Sequence, residues 1–428
     1  MPSENELAVR FELSRPSIRK VLSALAEEGL VKIERGKGTV VNDQLLTTET
    51  VSLFWPGPSF EYTPMKHVVE RFNQVSKTIK VAMVPYSKGS TIDLLNTNNE
   101  LKPDLIAVGN TSFLDLQLAE IEQYLQPISL PETDSIYPVF TRAFTKAGLL
   151  YSAPVTFTPI VLAFNKKLFV QAGEQLPDET WDLERLLESA KRLTLTEGQA
   201  LPHSYGISFS TSLNRWPAMI LANGGNFDDL LVSSEPPNPT IDALNYVVDL
   251  MYTHKVAPLY SIGNDDIGES MFIRGKVAMI LTSYNFMEQF KQLDLDWGFC
   301  RIPSNNPSCS SLSISSGISI STGSNKKEAA MSFIRFVLSD SMQAYMKLAS
   351  CSVPVVKRIA TSRKYPHNPL GSRGYYTFEK LMDNIITLRD CSLTSRDWLT
   401  FQHELNLAWA GTMSMREALD SAQRLLGK

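Results

Sequence analysis

The sequence is poor in the residues that carry thiol and metal chemistry. It contains 4 cysteines and 5 histidines in 428 residues, the cysteines show no CxxC spacing, and the histidines are widely separated along the chain. This spacing excludes a zinc cluster built from sequence neighbours, and it favours reduced thiols over a disulfide framework. We predict neither a metal site nor a cofactor.

Long apolar runs and catalytic motifs are also missing. No segment approaches the roughly 18 unbroken apolar residues of a membrane span, and the first residues are charged from Glu4 onward, without an apolar leader. P-loop, G-x-G-x-x-G and G-x-S-x-G motifs do not occur, and "HELNL" at 403–407 lacks the second histidine of a zinc protease. We therefore expect a cytoplasmic protein that is not an enzyme and does not contact the membrane.

Length and charge divide the chain. Single hydrophobic cores stop growing at about 250 to 300 residues, so 428 residues predict more than one domain. Residues 1–41 carry seven lysines and arginines against six acids, whereas the whole chain has a net charge of −4. Affinity for a polyanion such as DNA is therefore expected only at the N-terminus.

The first 41 residues have the pattern of two helices and a hairpin. Ser3 and Glu6 have the spacing of a capping box, and Ser14 can cap a second helix that has Pro16 in its first turn. The stretch "LVKIERGKGTVV" then predicts two short strands joined by a glycine turn. The second helix carries an apolar stripe at helical spacing, formed by Ile18, Val21, Leu22 and Leu25.

The segment "PSENELAVRFELSRPSIRKVLSALAEEGLVKIERGKGTVV" resembles the winged helix-turn-helix of GntR-family transcription regulators. This resemblance implies a small α+β DNA-binding domain over residues 1–41. In such domains the second helix of the motif enters the major groove of operator DNA, and dimers read two half-sites. The positions that the resemblance assigns to DNA contact are Asn5, Ser14, Arg15, Ser17, Arg19, Arg35, Gly36 and Lys37.

One feature departs from the GntR pattern. Family members begin with a further helix and a Pro-Gly turn upstream of this segment, and here Met1 stands at the place of the preceding leucine. The resemblance therefore leads us to expect a domain whose first helix is missing, with less apolar packing around Leu7 and Phe11. Either the true start lies upstream, or the domain is weakened.

After a polar connector at 42–50 the pattern changes to alternating strands and helices. "VSLFWP", "IKVAMVPY" and "DLIAVG" are predicted strands, and residues 64–76 form an amphipathic helix between the first two. This order predicts an α/β domain with a largely parallel sheet. Ligands of such sheets bind at the carboxyl ends of the strands.

Further segments complete a second resemblance. "YGISF", "WPAMILANGGNFDD", "FIRGKVAMILTSY", "WGFCRIP" and "SSGISISTGSNKKEAAMSFIRFVLS" follow in the order seen in family 1 extracellular solute-binding proteins, the sugar-type receptors of ABC importers. The resemblance covers residues 51–428. It implies a two-lobed α/β fold of the periplasmic-binding-protein type (type II), with a small ligand held between the lobes.

A sugar site needs flat apolar faces and uncharged hydrogen-bonding groups. Matching the motifs of the family assigns ligand contact to the aromatic residues Trp55, Phe157, Trp216 and Tyr284, to the polar residues Asn110, Asn223, Asn226, Ser283 and Ser316, and to Gly225 and Gly317. Each aromatic ring, and Phe157 above all, is also explained as part of a hydrophobic core, and the "NGG" at 223–225 as a helix end.

The two resemblances predict a ligand-responsive transcription regulator, in which a carbohydrate, such as an oligosaccharide, bound to the second domain modulates operator binding. A homodimer is expected from the two-half-site geometry. The alternative hypothesis is a solute-binding component of an ABC sugar importer with an incidental N-terminal segment.

Overall fold

A computed structural model provides the fold of the chain. It describes residues 2–11, 13–27, 31–34, 38–41, 48–57, 59–86, 103–196, 202–232, 237–259, 266–292, 295–306, 308–365 and 381–427. The predicted wing tip, which consists of Arg35, Gly36 and Lys37, lies outside the described residues, as does most of the predicted connector, at 42–47.

The N-terminal domain has the predicted order of helix, helix and hairpin. Helices α1 (Glu4–Arg10) and α2 (Arg15–Glu27) precede strands β1 (Val31–Glu34) and β2 (Gly38–Val41), which pair in antiparallel fashion. Gly38 has a φ of 82° at the point where the second strand begins. Glycine adopts this left-handed conformation without the steric cost of a Cβ.

Three apolar side chains join the two helices of this domain. Leu7 of α1 and Ile18 and Leu22 of α2 expose 8%, 5% and 5% of their surfaces and form one small cluster. The capping box starts α1 as predicted: Ser3 N donates to Glu6 Oε2 at 2.7 Å, and Glu6 N donates to Ser3 Oγ at 3.3 Å. Local capping and this cluster therefore set the relative position of α1 and α2.

The first lobe of the larger domain begins with a parallel βαβ unit. Strand β3 (Glu49–Pro56), helix α3 (Tyr62–Val75), strand β4 (Ile79–Tyr86) and strand β5 (Leu105–Gly109) place β3 between two parallel neighbours. Strand β3 starts inside the predicted connector, so the regular structure of this domain begins two residues earlier than expected.

Short elements complete the first lobe before the chain crosses over. They are α4 (Asn110–Asp115), α5 (Leu118–Tyr124), β6 (Leu125–Gln126), a 3-10 helix (Pro131–Ser135), α6 (Pro138–Ala143), β7 (Thr145–Lys146) and β8 (Leu149–Leu150). The long strand β9 (Ala153–Asn165) follows and is buried over its whole length. Burial on both faces explains why its sequence is apolar rather than alternating.

The second lobe contains its own strands and helices. They are α7 (Lys166–Gln171), α8 (Leu183–Leu193), β10 (Tyr205–Ser208), α9 (Pro217–Ala222), a 3-10 helix (Phe227–Leu231), α10 (Pro239–Tyr252), α11 (Asp266–Ile273), β11 (Val277–Ser283), a 3-10 helix (Tyr284–Gln292) and β12 (Trp297–Cys300). Strand β10 is parallel to β11, whereas β11 and β12 are antiparallel to β9.

Strand β13 (Ser311–Ser321) returns the chain to the first lobe. It pairs in antiparallel fashion with both β9 and β5, which gives the strand order β10-β11-β9-β13-β5-β3-β4. The sheet is therefore mixed, which corrects the prediction of a largely parallel sheet. The parallel pairs lie within each lobe, and the antiparallel pairs arise because β9 and β13 pass between the lobes in opposite directions.

The remaining elements cover the two lobes. They are α12 (Lys327–Val337), α13 (Asp340–Ala349), β14 (Val353–Pro354), α14 (Lys357–Ala360), a 3-10 helix (Met382–Asn384), β15 (Ile385–Ile386), α15 (Ser395–Trp409) and α16 (Met415–Leu426). Helices α12 and α13 contact α3 of the first lobe, and α16 contacts α10 of the second. Over the described ranges, no helix is both long and apolar enough to cross a membrane.

Candidate functional sites

The predicted DNA-contacting residues of the N-terminal domain lie on its surface. Asn5, Ser14, Arg15, Ser17 and Arg19 are all exposed. On α2, Arg15 and Arg19 are four residues apart and therefore share a helix face, while Ile18 and Leu22 face the interior. The arrangement leaves a basic, solvent-exposed start of the second helix.

Hydroxyl groups cap this exposed helix start. Ser17 N donates to Ser14 Oγ at 3.3 Å, and the two Oγ atoms are 2.8 Å apart. Both hydroxyls are thus held at the helix N-terminus, where backbone N–H groups and hydroxyls can contact phosphate oxygens.

Arg19 is held by an acid from the preceding helix. Its Nη2 lies 2.8 Å from Glu4 Oε2, and its Nε donates to Glu4 Oε1 at 3.4 Å. The hydrogen bond from Arg19 lowers the pKa of the Glu4 carboxyl, and the same contact raises the pKa of Arg19. The sequence reasoning did not identify Glu4, because the two residues lie on different helices.

The second candidate site lies where strands β9 and β13 pass between the lobes. Thr156 pairs with Ser316, and Thr158 pairs with Ile314. Directly opposed residues of paired strands project to the same face, so these four side chains share one face of the crossing. Ser316 and Ile314 are half-buried, whereas the two threonines are buried.

Three contacts join the lobes beside this crossing. Thr111 Oγ1 of the first lobe donates to Asn214 Oδ1 of the second at 2.6 Å. The rings of Phe60 and Phe286, again from opposite lobes, have centroids 4.6 Å apart. Asn285 N donates to Thr158 Oγ1 at 3.0 Å. We call these the interlobe contacts: the first two join side chains of opposite lobes, and the third joins the backbone of the second lobe to the crossing strand β9.

A buried arginine orders the second-lobe side of these contacts. Arg215 exposes only 2% of its surface. Its Nη2 donates to Ser283 Oγ at 3.0 Å, its Nη1 donates to Asn214 O at 3.2 Å, and its guanidinium carbon lies 5.1 Å from the centroid of the Phe286 ring. This single side chain thereby positions residues of two interlobe contacts, one polar and one aromatic.

On the first-lobe side, an acid ties helix α3 to the crossing strands. Glu61 immediately precedes α3, and its Oε1 accepts hydrogen bonds from Thr156 Oγ1 and, at 2.8 Å, from Ser352 Oγ. The crossing therefore combines hydroxyl and amide groups, one carboxylate and one guanidinium with one phenylalanine from each lobe, and most of these groups are buried and hydrogen-bonded to one another. Polar groups next to aromatic rings suit a ligand that has hydroxyl groups and some apolar area.

Two of the predicted polar ligand residues lie beside the crossing. Asn110 begins α4 directly after strand β5, and its Oδ1 accepts a hydrogen bond from Ser315 N at 2.9 Å. Ser316 is the Cα partner of Gly109, the residue before Asn110. At Gly317 an added Cβ would lie 2.5 Å from Ser152 Oγ, so this glycine allows close packing of the chain.

The four aromatic residues that were predicted to contact a ligand lie inside the lobes. Trp55, Phe157, Trp216 and Tyr284 expose 2%, 1%, 2% and 0% of their surfaces and belong to the hydrophobic cores. Phe157, for example, packs against Phe140 with centroids 4.4 Å apart. These rings support the walls of the lobes from behind, and in this structure they do not offer a face to a ligand.

The predicted residues at 223–226 form a turn that is held by its own hydrogen bonds. Asn223 Nδ2 donates to Pro239 O at 2.9 Å, and Asn226 Oδ1 accepts from Asp228 N at 3.1 Å as the cap of a 3-10 helix. A Cβ at Gly225 would lie 2.5 Å from Thr240 Oγ1. Helix α9, about 9 Å long at 1.5 Å per residue, separates this turn from Arg215.

The sequence reasoning missed the interlobe residues themselves. Asn214 and Arg215 directly precede the predicted Trp216, and Asn285 and Phe286 directly follow the predicted Tyr284. The interlobe residues thus adjoin predicted ones in the chain, whereas the rings of Trp216 and Tyr284 lie in the core. Among the described residues, no group of three or more histidines, cysteines or acids is arranged to hold a metal ion.

The fold defines a two-lobed solute-binding domain preceded by a winged helix-turn-helix. A family model described as "Bacterial extracellular solute-binding protein" matches residues 57–344, more than half of the chain, so the chain belongs to this family. A second family model, "Bacterial regulatory proteins, gntR family", matches residues 1–41. Both resemblances drawn from the sequence are thereby confirmed.

A curated relative matches the N-terminal part. The uncharacterized HTH-type transcriptional regulator YurK of Bacillus subtilis (strain 168) is 35% identical over 72 residues, which are 16% of this chain and 30% of that protein. The chain thus spans less than a third of the length of this relative.

Solved structures match the larger domain. An ABC substrate-binding protein from Listeria monocytogenes, in complex with cycloalternan, has a TM-score of 0.72 at 18% identity, and the match covers 89% of this chain and 98% of that protein. The GacH receptor of Streptomyces glaucescens, solved unliganded and with acarbose, has a TM-score of 0.75 at 17% identity, covering 89% and 97%. Maltose-bound MalE3 of T. maritima has a TM-score of 0.71 at 17% identity, covering 88% and 99%. These similarities show the two-lobed fold.

Proposed function

We propose that the chain is a ligand-responsive transcription regulator of the cytoplasm. Its winged helix-turn-helix binds operator DNA as part of a homodimer, and its solute-binding domain senses a carbohydrate, such as an oligosaccharide. The observation that carries the proposal is the presence of both families on one chain, over residues 1–41 and 57–344.

The DNA-binding part of the proposal is supported by the exposed start of α2. Arg15 and Arg19 share a face, and the hydroxyls of Ser14 and Ser17 lie at the same helix end. Arginine contacts base edges bidentately, while hydroxyls and backbone N–H groups contact phosphates. A dimer would place two such helices about one DNA turn apart.

The ligand-binding part is supported by the chemistry between the lobes. Thr111 and Thr158 bring hydroxyl groups to the crossing, Asn214 brings a side-chain amide, Asn285 brings a backbone N–H, and Phe60 and Phe286 bring two packed rings. The solved proteins of this fold include ones bound to maltose, maltotriose and maltotetraose. A neutral, hydroxyl-rich ligand fits these groups.

Coupling between the two parts is proposed from their presence on one chain. In this proposal a ligand between the lobes changes the interlobe contacts, and the first lobe, whose first strand β3 begins at Glu49 shortly after the DNA-binding domain, passes the change on to the paired DNA-binding domains. Coupling free energies in such systems are typically about 1 to 3 kcal/mol, or roughly 5- to 150-fold in DNA affinity.

The test uses the full-length chain and a duplex that it selects from a randomised pool. Binding of the chain to the duplex is measured by fluorescence anisotropy, with and without maltose, maltotriose, maltotetraose, acarbose, cycloalternan and α-D-tagatose. Calorimetry measures direct binding of each sugar. We expect one sugar to bind and to change duplex affinity at least fivefold; direct binding with unchanged DNA affinity would sink the coupling.

Variants separate the two parts. Arg15→Ala should weaken duplex binding by about 1 to 3 kcal/mol, the worth of a bidentate base contact, and leave sugar binding unchanged. Arg424→Ala is the matched control, because this exposed arginine near the end of α16 carries the same charge change. Equal DNA affinity of both variants would contradict the assignment of α2 as the reading helix.

The similarity to ABC substrate-binding proteins favours one alternative, a solute-binding component of a sugar importer. This alternative predicts that the chain is recovered with the membrane or outside the cell, and that its deletion abolishes sugar uptake without changing transcription. The matched families are solute-binding and DNA-binding proteins, and we propose that the chain performs no catalysis. Recovery of each bound sugar unaltered after prolonged incubation tests this.

A further inference from the structure

An ion pair connects the two helices of the DNA-binding domain at its exposed face. Arg19 of α2 directs its Nη2 and Nε toward the two carboxylate oxygens of Glu4 of α1, at 2.8 Å and 3.4 Å. The two residues are 15 positions apart in sequence. The contact therefore reports how the helices are placed and is not a product of helical spacing within one element.

Packing beneath the pair holds the backbones that carry it. Leu7 lies one helical turn after Glu4 and packs against Ile18, the neighbour of Arg19. The other acid of the first turn, Glu6, is engaged by the capping box with Ser3. Glu4 is thus the acid of α1 that is left to reach toward α2.

The geometry divides the guanidinium of Arg19 into two edges. Its Nε–Nη2 edge faces Glu4, while the side chain as a whole remains 70% exposed. Among the described residues, Glu4 is the hydrogen-bond partner of the Arg19 guanidinium. The edge formed by the two terminal nitrogens is left for a ligand, and a guanidinium edge can bind the O6 and N7 atoms of guanine bidentately.

The charge of Glu4 favours a base over a phosphate at this edge. A phosphate that approaches Arg19 also approaches the Glu4 carboxylate, and like charges repel. The pKa of Glu4 is lowered first by its hydrogen bond with Arg19 and also by the charge of Arg15. The carboxylate is therefore within electrostatic reach of both arginines, and it stays ionised at neutral pH. The acceptor atoms of guanine carry no formal charge and meet less repulsion.

We propose that Glu4 is a specificity-determining positioning residue, which holds Arg19 toward a guanine and disfavours contact of Arg19 with the DNA backbone. The inference rests on the proposed function, in which α2 enters the major groove. It predicts that Glu4 trades non-specific affinity for sequence discrimination. Loss of Glu4 should then free Arg19 to make a phosphate contact on any sequence.

The test measures the affinity of the full-length chain for a duplex selected by the wild type and for a scrambled duplex of the same composition, over a range of salt concentrations. For Glu4→Ala we expect about tenfold tighter binding to the scrambled duplex and a ratio of affinities that falls about tenfold. One added phosphate contact should steepen the salt slope for the scrambled duplex by about 0.9. Glu4→Gln, which keeps the shape and one acceptor oxygen, should show the same direction with a smaller change.

A matched control and a second arginine variant separate this role from a structural one. Glu27→Gln also removes one negative charge, but at a residue about 12 Å from Arg19 along α2. It should change the ratio of the two DNA affinities less than twofold. Arg19→Lys keeps the charge but cannot bind bidentately. In that background, replacing Glu4 should no longer change the ratio. A circular dichroism melt checks that every variant is folded.

The outcomes distinguish this inference from the proposed function. If the wild-type chain selects a sequence and the Glu4 variants keep its affinity ratio and salt slope, the role of Glu4 is overturned and the proposed function is not. A wild-type chain that selects no sequence overturns the proposed function and the role of Glu4 with it. A lowered ratio in both Glu4 variants, absent in Glu27→Gln, supports the inference.

Discussion

Replacement of Trp216 by alanine distinguishes a core residue from a ligand contact. The ring exposes 2% of its surface, and its centroid lies 5.9 Å from that of Trp398 and 5.7 Å from that of Trp409. Its Nε1 donates to Gln402 Oε1 at 2.8 Å. We expect Trp216→Ala to destabilise the second lobe as a whole instead of affecting ligand binding alone.

The magnitude follows from burial. A tryptophan buries about 150 to 250 Å², which at about 25 cal/mol per Å² corresponds to about 4 to 6 kcal/mol as an upper bound. Measured substitutions of this kind cost about 3 to 5 kcal/mol, because the cavity relaxes only in part. Trp216→Phe should cost less, about 1 to 3 kcal/mol, since a ring remains and the main loss is the hydrogen bond to Gln402.

The hydrogen bond also links the core to the interlobe contacts. The Nε2 atom of Gln402 donates to Thr211 O and to Asn406 Oδ1, both at 2.8 Å. Thr211 begins the segment that leads to Asn214. Trp216→Phe removes the donor to Gln402 Oε1 while Nε2 keeps its two hydrogen bonds, so only a modest loss of sugar affinity is expected as a secondary effect.

Urea unfolding followed by far-ultraviolet circular dichroism measures these changes. The two domains can unfold in separate transitions, so each is fitted by itself. Val170→Ala, at a side chain that is 75% exposed, is the control and should stay within about 0.5 kcal/mol. If Trp216→Ala unfolds within about 1 kcal/mol of the wild type yet loses sugar binding, the assignment of Trp216 to the core is refuted.

An interlobe hydrogen bond, a close backbone approach and a buried thiol each carry a further prediction. Asn214→Ala removes the interlobe hydrogen bond with Thr111 and should weaken sugar binding, measured by calorimetry, about 2- to 10-fold, which corresponds to the loss of one hydrogen bond. Asn226→Ala removes a helix cap and should instead lower the free energy of unfolding by about 1 kcal/mol. Equal sugar affinities of the two variants would contradict this division. Gly225→Ala places a Cβ 2.8 Å from the backbone nitrogen of Thr240 and should destabilise the second lobe by about 1 to 3 kcal/mol. In Gly109→Ala no atom lies within 4 Å of the added Cβ, and the loss of stability should be less than about 1 kcal/mol. A smaller loss of stability for Gly225→Ala than for Gly109→Ala in urea unfolding would count against the close approach. Burial raises the pKa of the Cys391 thiol to about 11, above its value of about 8.5 in the unfolded chain. The stability that the protonated, buried thiol contributes is therefore complete below about pH 8.5 and is lost as the pH rises toward 11. Over this range the urea midpoint should fall less steeply in Cys391→Ala than in the wild type, and parallel curves would refute burial of the thiol as the cause.

Much of the DNA-binding domain was predicted correctly because its signals are local. A capping box acts over three residues, and Ser3 and Glu6 form it as the spacing predicts. The stripe on α2 identified Ile18 and Leu22 as the buried positions. Val21 of the same stripe is 50% exposed, because periodicity marks an apolar face without showing how much of it finds a partner.

The burial of the predicted aromatic ligand residues has a physical reason. Alternation along a strand assigns Phe157 to one face and Thr156 and Thr158 to the other, but it does not say which face meets a core. Here Phe157 faces the core, and the threonines lie on the face of the interlobe contacts. Residue type suggested a flat apolar platform, whereas tertiary packing used that ring to fill the interior.

The two families, the order of their elements and the segments near the crossing can be read from capping, periodicity and motif order, which are local. Which side chains meet depends on tertiary packing. Thr111 and Asn214 are 103 positions apart, and Glu4 and Arg19 lie on separate helices. Such contacts depend on strand register and helix packing, which arise from the whole fold and leave no mark at fixed spacing in the chain.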